Sequence, residues 1–589
     1  FLEALPLTPN GKVDRKALPV PEATSSTAYV APGTPTEEKL AVLWAEVLRH
    51  PRVGATDHFF ELGGHSLLAT QLVARVRAAF DVELPLRSVF EAPTLTGLAR
   101  HIDDARARAS GLLAPPLVAV PRTGELPLSF AQQRLWFLDQ LQPGTATYNM
   151  PYALRLEGPA DVSALERAFH ALIHRHESLR TTFHAHAGEP VQRIHSSVDF
   201  VLERMDLEHL AEDARQAEAQ RLAAAEALRP FDLTRGPLLR ASLLRLAEHQ
   251  HVLLVTLHHI VSDGWSRGVL VREVAALYAA FVQNRPSPLP ELPLQYADFA
   301  VWQRSWLQGD ALGAQLDYWK QQLSGAPALL ELPTDKPRPA VQSQRGASLP
   351  VHLPLLLSEA LSDFCQLEGV TPFMALLALF QVLLSRYSGQ QDISVGSPIA
   401  GRTRAETEGL IGFFVNTLVL RSDVRPTLSF RQLLAQVRDT TLAAYEHQHL
   451  PFEKLVEELQ PQRSLSHSPL FQVMLVLQNM PATELSLAGL TFRSLEQDFE
   501  STKFDLRLSL TQTTQGLTGA LGYRTDLFES STVSRMVEHL RILLKAALAS
   551  PDSRVSELPL LTDTERKLLL QDFVSTEAPL PPPRSVHSL

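Results

Sequence analysis

Cysteine is nearly missing from this chain. Cys365 stands alone among 589 residues, which excludes an intramolecular disulfide and a cysteine metal cluster and fits a reducing compartment. The expected location is therefore the cytoplasm. Neither a His-Glu-x-x-His helix nor a Cys-x-x-Cys pair occurs, so no metal site is expected. No apolar run approaches the ~18 residues that would cross a bilayer, so no membrane partner is expected. An excess of positive charge is lacking as well: 54 Lys and Arg face 64 Asp and Glu, for a net charge of −10. Nucleic acid calls for a basic face and is not an expected partner. Proteins and tethered small molecules remain.

The length exceeds what one core can organise, and about three to five units are expected at ~100–200 residues each. Hydrophobic content of 45% with 20% charged residues is that of an ordinary globular chain. The chain opens at Phe1 directly in motif-like sequence, and we expect a segment of something longer.

The run Val252 to Leu257 is aliphatic and β-branched without polar alternation, and it reads as a strand buried on both faces. His258 and His259 follow where that strand ends. Neighbouring side chains of an extended segment point to opposite faces, so one histidine is expected to serve a site and the other the packing. Asp263 lies past Ile260 and Val261, far enough on to brace a turn. Gly264 is expected to supply a backbone conformation that other residues avoid. Val269–Val282 then reads as an amphipathic helix.

Nearer the N-terminus, Leu40, Leu43, Trp44, Val47 and Leu48 fall on one helical face. Asp57 to Ser66 is a loop ending in Gly63-Gly64-His65-Ser66, and Leu67 to Phe80 continues as a second helix. Further helices are expected over Leu86–Phe90 and Leu95–Ala107. Ser66 thus stands at a helix start, where serine commonly caps. The same unpaired amides and positive partial charge also suit a phosphate.

The large remainder alternates helix and strand, as a two-layer α/β unit does. Ser129 is a plausible cap ahead of Phe130 to Leu138, Val162–Glu177 carries one apolar face, and Tyr296 to Gln303 opens another helix. Thr371–Tyr387 is an apolar helix, Ile393 to Gly396 a strand, and Ile411 to Arg421 a loop with a strand.

Several of these blocks resemble motifs of one family. His258-His259-Ile260-Val261-Ser262-Asp263-Gly264 is similar to the HHxxxDG signature of condensation domains of nonribosomal peptide synthetases. The ordered blocks from Leu128 to Val473 resemble that family's serial motifs. Phe59 to Leu67 resembles the attachment loop of peptidyl carrier domains, and Leu5 to Arg15, with Lys12 at its tip, resembles the last motif of adenylation domains. The implied fold is multidomain: a small all-α four-helix carrier bundle, then a large α/β domain of two chloramphenicol-acetyltransferase-like lobes in a V. The implied boundaries are an adenylation remnant at 1–20, a linker at 21–35, the carrier at 36–106 and a linker at 107–122. They continue with a condensation N-lobe at 123–295, its C-lobe at 296–550, and a linker into the next adenylation domain at 551–589.

By the same resemblance Ser66 carries 4′-phosphopantetheine, and the condensation domain forms an amide between a donor thioester and the amine of an acceptor. Implied partners are aminoacyl or peptidyl thioesters, an upstream adenylation domain, downstream adenylation and acceptor carrier domains, and a phosphopantetheinyl transferase. The motif's second histidine, His259, becomes the active-site histidine, with His258 packed behind it. Asp263 becomes a structural acid paired with an arginine, for which Arg134 and Arg180 are candidates, and Asn416 stands near the active site. Backbone amides near Gly264 would face the developing oxyanion. An α-amine has a pKa of about 7.7–8.0, so freeing it at neutral pH costs only about 1 kcal/mol. His259 is therefore expected to orient or stabilise more than it deprotonates. Epimerisation domains share the motif but usually follow it with Ser-Trp-Arg, where this chain has Trp265-Ser266-Arg267. Non-catalytic recruiting relatives tend to lose the second histidine, and heterocyclisation domains carry a DxxxxD pattern instead.

Overall fold

Thr34 starts the first helix by a reciprocal cap. Its hydroxyl accepts from the Glu37 N–H while the Glu37 carboxylate accepts from the Thr34 N–H. Pro35 takes the first helical position, where a missing N–H costs nothing. The computed structural model describes residues 29–107, 114–343, 345–461, 464–478, 485–487, 489–495 and 502–572. Lys12 with its turn, residues 21–28 of the expected linker, and the tail from 573 lie outside them. Residues 1–111 and 112–589 form two compact units.

In the first unit the helices Pro35–Leu48, Ser66–Phe80, Arg87–Glu91 and Leu95–Ala107 make the four-helix bundle that the periodicity predicts. Trp44 meets Phe59 edge to face at 5.1 Å, and Leu40, Leu72, Val76, Leu98 and Ile102 close around them. Full burial of each such side chain is worth roughly 1.5–3 kcal/mol, which orders the short loops between the helices.

The second unit is built on two six-stranded mixed sheets and a small three-stranded one. The first large sheet runs in the order Leu485–Leu487, Leu490–Leu495, Asn149–Glu157, Gln250–His258, Leu239–Ala247 and Glu203–Asp206. Its only parallel pair among the described residues is the last. The second runs Asn416–Asp423, Asp392–Ile399, Val473–Gln478, Leu506–Thr513, Gly516–Arg524 and Gly346–Pro354. Helix Pro372–Ser388 begins at the Thr371 cap and is buried at every position from Phe373 to Leu384, as an all-round apolar helix must be. No single helix among the described residues is long and apolar enough to cross a membrane.

The structure adds detail to two expected boundaries and corrects one helix start. A division into lobes at 295/296 is crossed by the chain itself, because the strands Leu485–Leu487 and Leu490–Leu495 from the second half extend the first half's sheet against Asn149–Glu157. Part of the expected linker at 107–122 is packed onto the second unit. Ala114 and Leu117 are buried, the Pro115 carbonyl accepts from the Trp302 indole at 2.9 Å, and the Val120 N–H donates to Asp298. Finally, the helix after the histidine turn spans Gly264–Val282 and starts five residues earlier than its apolar periodicity indicates, because Asp263 caps it.

Candidate active site

The strand Gln250–His258 lies between Asn149–Glu157 and Leu239–Ala247, and every residue from His251 to His258 is buried. Its end is pinned by two backbone bonds. The His258 N–H donates to the Leu238 carbonyl at 3.0 Å and the His259 N–H to the Tyr148 carbonyl at 2.8 Å. The chain then makes one 3-10 turn, His259–Val261, whose Ile260 and Val261 are fully buried and draw the turn into the core.

The turn gives the two histidines different surroundings. His258 is 4% exposed, and its Nδ1 accepts from the Ile260 N–H at 3.1 Å. Burial, then the charges of His259, Lys503 and Arg240, push its ring down to about 3. The folded protein therefore refuses a proton that the unfolded chain takes near pH 6.5. Stability from this group is complete above that pH and is lost as pH falls toward 3, at roughly 1.4 kcal/mol per pH unit. Denaturant midpoints recorded against pH should fall less steeply in His258→Gln; an identical slope would show that the ring titrates alike in both states.

His259 stays partly accessible. Its Nδ1 lies 2.8 Å from the Ser262 carbonyl, which can only accept, so Nδ1 carries the proton and Nε2 keeps its lone pair. The ring meets Phe413 edge to face at 4.7 Å. Its pKa lies below the ordinary imidazole value, first because of burial and then because of the Lys503 cation, against a smaller opposing effect of Asp263. At neutral pH the ring is a neutral acceptor.

Asp263 is 1% exposed and ties two segments together. One carboxylate oxygen accepts from the Ser266 N–H and hydroxyl, both at 2.8 Å, and the other from the Phe414 N–H at 3.0 Å. The arginine beside it is Arg402, at 3.4 Å and equally buried, whose guanidinium also donates to the Leu410 carbonyl and lies over the Phe414 ring at 4.0 Å. This corrects the candidates Arg134 and Arg180. Arg134 is half exposed and pairs with Glu453 at 2.9 Å, while Arg180 reaches the His195 carbonyl and Glu177. Gly264 is corrected too: it opens the helix with an ordinary backbone, and a Cβ there would meet nothing within 4 Å. It is exposed at the helix start.

Asn416 is wholly occupied. Its amide donates to the Gln448 and Leu450 carbonyls at 2.9 and 2.8 Å and accepts from the Thr417 and Phe452 N–H groups at 2.8 and 2.9 Å. It clasps the 448–452 loop and has no capacity left for a substrate. With Phe413, Trp302, Trp306 and Glu453 it lines an open cleft. Arg402, Phe413 and Lys503 escaped the sequence reading, because nothing local marks them: Arg402 is 139 residues from Asp263.

In the first unit, Ser66 is the first helical residue and His65 the cap, without a side-chain cap bond. The Ser66 side chain is therefore not the helix cap. Its hydroxyl is an orphan among the described residues, and the first intrahelical bond at this end comes from the Ala69 N–H. Among the described residues the N–H groups of Ser66, Leu67 and Leu68 in the first turn are open to an anion, as the attachment of a phosphodiester requires. Gly64 must lack a side chain, since a Cβ would lie 2.4 Å from the Phe59 ring. An uncommitted hydroxyl, open amides and a stripped loop together fit a phosphopantetheine arm.

Comparison with known proteins agrees with this geometry. A family model described as "Condensation domain" matches residues 122–570, and one described as "Phosphopantetheine attachment site" matches 38–102. A linear gramicidin synthase of Brevibacillus parabrevis is 52% identical over 594 residues, covering 100% of this chain and 12% of its own length. The chain spans about a tenth of such curated relatives. Among solved structures, the X-domain from teicoplanin biosynthesis matches with a TM-score of 0.70 at 30% identity, covering 76% of this chain and 100% of that one. A four-domain nonribosomal peptide synthetase bound to AMP and glycine matches with a TM-score of 0.67 at 26% identity, covering 75% of this chain and 34% of that one.

Proposed function

Because the chain belongs to the condensation-domain family, with a phosphopantetheine-attachment domain ahead of it, we propose that it makes peptide bonds within a nonribosomal peptide synthetase. The observation that carries this reading is His259. Its Nδ1 is locked by Ser262, its Nε2 keeps an open lone pair, and it is partly accessible at the end of a rigid core strand. A module that only recruited partners would have no need of such a ring.

Ser66 is the attachment point for the arm. When bound, the arm supplies a thiol that holds the donor acyl group as a thioester. With the arm in place, the acceptor's neutral amine would attack the donor carbonyl carbon, forming the C–N bond as the C–S bond to the arm's thiol breaks. The amine's surplus proton leaves through His259 Nε2 or water. Since freeing an α-amine costs only about 1 kcal/mol at neutral pH, the main task of His259 is to hold the amine by accepting its hydrogen bond and to receive a proton as the bond forms. Asp263 and Arg402 keep the turn and the Phe413–Phe414 loop in register and do not touch substrate.

In this reading residues 36–106 are the donor carrier, and the acceptor is an aminoacyl group on a downstream carrier. The adjoining partners are adenylation domains before and after and a phosphopantetheinyl transferase. The location is the cytoplasm, in keeping with the lone buried Cys365. Intact-mass measurement tests the assignment. A phosphopantetheinyl transferase with coenzyme A should add one arm to the wild type and none to Ser66→Ala. The donor-loaded chain should then yield product only when an aminoacyl carrier or soluble amine surrogate is added. Loading of Ser66→Ala, or product without an acceptor, contradicts it.

A further inference from the structure

Residues 411–414 lie between the 3-10 turn Ala405–Thr407 and the strand Asn416–Asp423, and side chains from far earlier in the chain pair with their backbone. The Ile411 N–H donates to His176 Nδ1 at 3.3 Å, and the Ile411 carbonyl accepts from the Ser178 hydroxyl at 2.7 Å. The Gly412 N–H donates to the Ser266 hydroxyl at 3.1 Å, next to the bond from the Phe414 N–H to Asp263. The Phe413 carbonyl accepts from the Tyr296 hydroxyl at 2.7 Å. Phe413 is the residue whose ring meets His259.

The direction of the bonds at Tyr296 follows from counting protons. A carbonyl can only accept, so the single Tyr296 O–H proton goes to Phe413. The Ser129 hydroxyl, 2.8 Å away, must then donate to Tyr296, while its own oxygen accepts from the Gln132 N–H at 3.2 Å. Gln132 Nε2 in turn donates to the Ile260 carbonyl at 3.2 Å, inside the histidine turn. Ser129 and Gln132 are 1% exposed and Tyr296 2%, so bulk water does not compete for these bonds. The start of the helix Phe130–Leu141 thus grips the turn that carries His259 through Gln132. Through Tyr296, at the first position of the helix Tyr296–Trp306, it also holds the residue packed on His259. The Tyr296 ring lies against the same segment: a Cβ on Gly412 would collide with it, and Phe414 meets it edge to face at 4.8 Å. Burial raises the Tyr296 hydroxyl above its ordinary value, so it stays a donor at neutral pH.

We propose that Tyr296 is a positioning residue of the condensation site: its hydroxyl fixes Phe413, whose ring edge holds the His259 imidazole with Nδ1 on Ser262 and Nε2 free. This rests on the function proposed above. Without the hydroxyl, the Phe413 carbonyl and the Ser129 hydroxyl lose a partner while the aromatic packing remains. Phe413 then loses its fixed place beside His259, the imidazole turns more freely, and its proton spreads between Nδ1 and Nε2. Fewer molecules present an Nε2 lone pair in the right direction.

Tyr296→Phe should therefore lower kcat roughly 10-fold or more, toward the 10²-fold that a misplacement of about 1 Å can cost. kcat/KM for a soluble amine surrogate should fall with it, as for an interaction made in the transition state. Imidazole ¹⁵N shifts of the labelled whole chain, with His259 assigned by comparison with His259→Gln, read the tautomer without substrate. At neutral pH the wild type should show the Nδ1–H form alone and Tyr296→Phe a mixture. Tyr278→Phe is the control. It removes a hydroxyl from an equally buried ring, bonded to the Asp161 N–H at 3.0 Å toward the other end of the helix Gly264–Val282, and should leave the rate and the tautomer unchanged. Should Tyr296→Phe fail to fold, Phe413→Leu keeps the backbone bond to Tyr296 and removes the ring edge, and it must give the same mixed tautomer and loss of kcat. A pure Nδ1–H His259 in either variant, or a loss of kcat matched by Tyr278→Phe, overturns the proposal. If the wild-type chain forms no peptide bond, the function fails while the tautomer still decides the part of Tyr296.

Discussion

His259→Ala should slow peptide-bond formation by about 10²–10⁴-fold while its melting temperature stays close to wild type. The asymmetry follows from what the ring touches. Its backbone N–H bond to Tyr148 survives truncation, and the side chain contributes one bond to the Ser262 carbonyl and an edge contact with Phe413. Because the ring is partly accessible, water can take its place beside Ser262, and little stability is lost. What disappears is a correctly oriented acceptor at the point of attack. Single-turnover assays with a donor-loaded carrier and a saturating acceptor read the chemical step directly. The wild-type acid limb should lie below the ordinary imidazole range, because burial and Lys503 depress this ring. A His259→Ala rate within a few-fold of wild type would remove His259 from the mechanism.

Asp263→Ala should fail in the opposite way, losing stability first and activity as a consequence. The substitution strips acceptors from the Ser266 N–H and hydroxyl and the Phe414 N–H, and it leaves the buried Arg402 guanidinium without its carboxylate. Breaking one side of a buried pair costs roughly 3–5 kcal/mol. The pair couples two segments far apart in the chain, so its loss should loosen the Phe413–Phe414 loop against the helix Gly264–Val282. Arg402→Met should be destabilising too, and the double variant should cost less than the sum of the singles, since the second change removes the charge that the first one stranded. Arg134→Ala and Arg180→Ala should show no such coupling with Asp263. Denaturant unfolding followed by tryptophan fluorescence measures each. An Asp263→Ala protein that unfolds like wild type and is inactive would make the acid a direct participant in the chemistry.

The readings that carried over from sequence to structure concern interactions closing within a few residues. Ser129 caps the helix that follows it, the apolar helix read at 371–387 spans Pro372–Ser388, and the unalternating run at 252–257 lies buried on both faces. The separation of His258 from His259 also belongs here, because adjacent residues at a strand end cannot share a direction. Gly264 shows the limit of such reasoning. A glycine after an acid suggests a strained turn, but Asp263 caps a helix instead, and capping is visible only once the helix is known to start there.

By itself the sequence determined the four-helix bundle, the alternating α/β unit, the family motifs with Ser66 and His259 at their centres, and the weak prospects for disulfides or a cysteine-held metal. These rest on periodicity, caps and loop chemistry, which act over one or two turns of chain. The tertiary structure alone decided that Arg402 partners Asp263, that Asn416 is spent on the 448–452 loop, and that Lys503 stands over the Tyr148 ring. It also decided that the strands at 485–495 join the other half's sheet. Each of these joins residues tens to hundreds of positions apart. Such a contact forms because burial brings opposite charges and unpaired amides together in one core, and no local pattern encodes which distant partner will arrive.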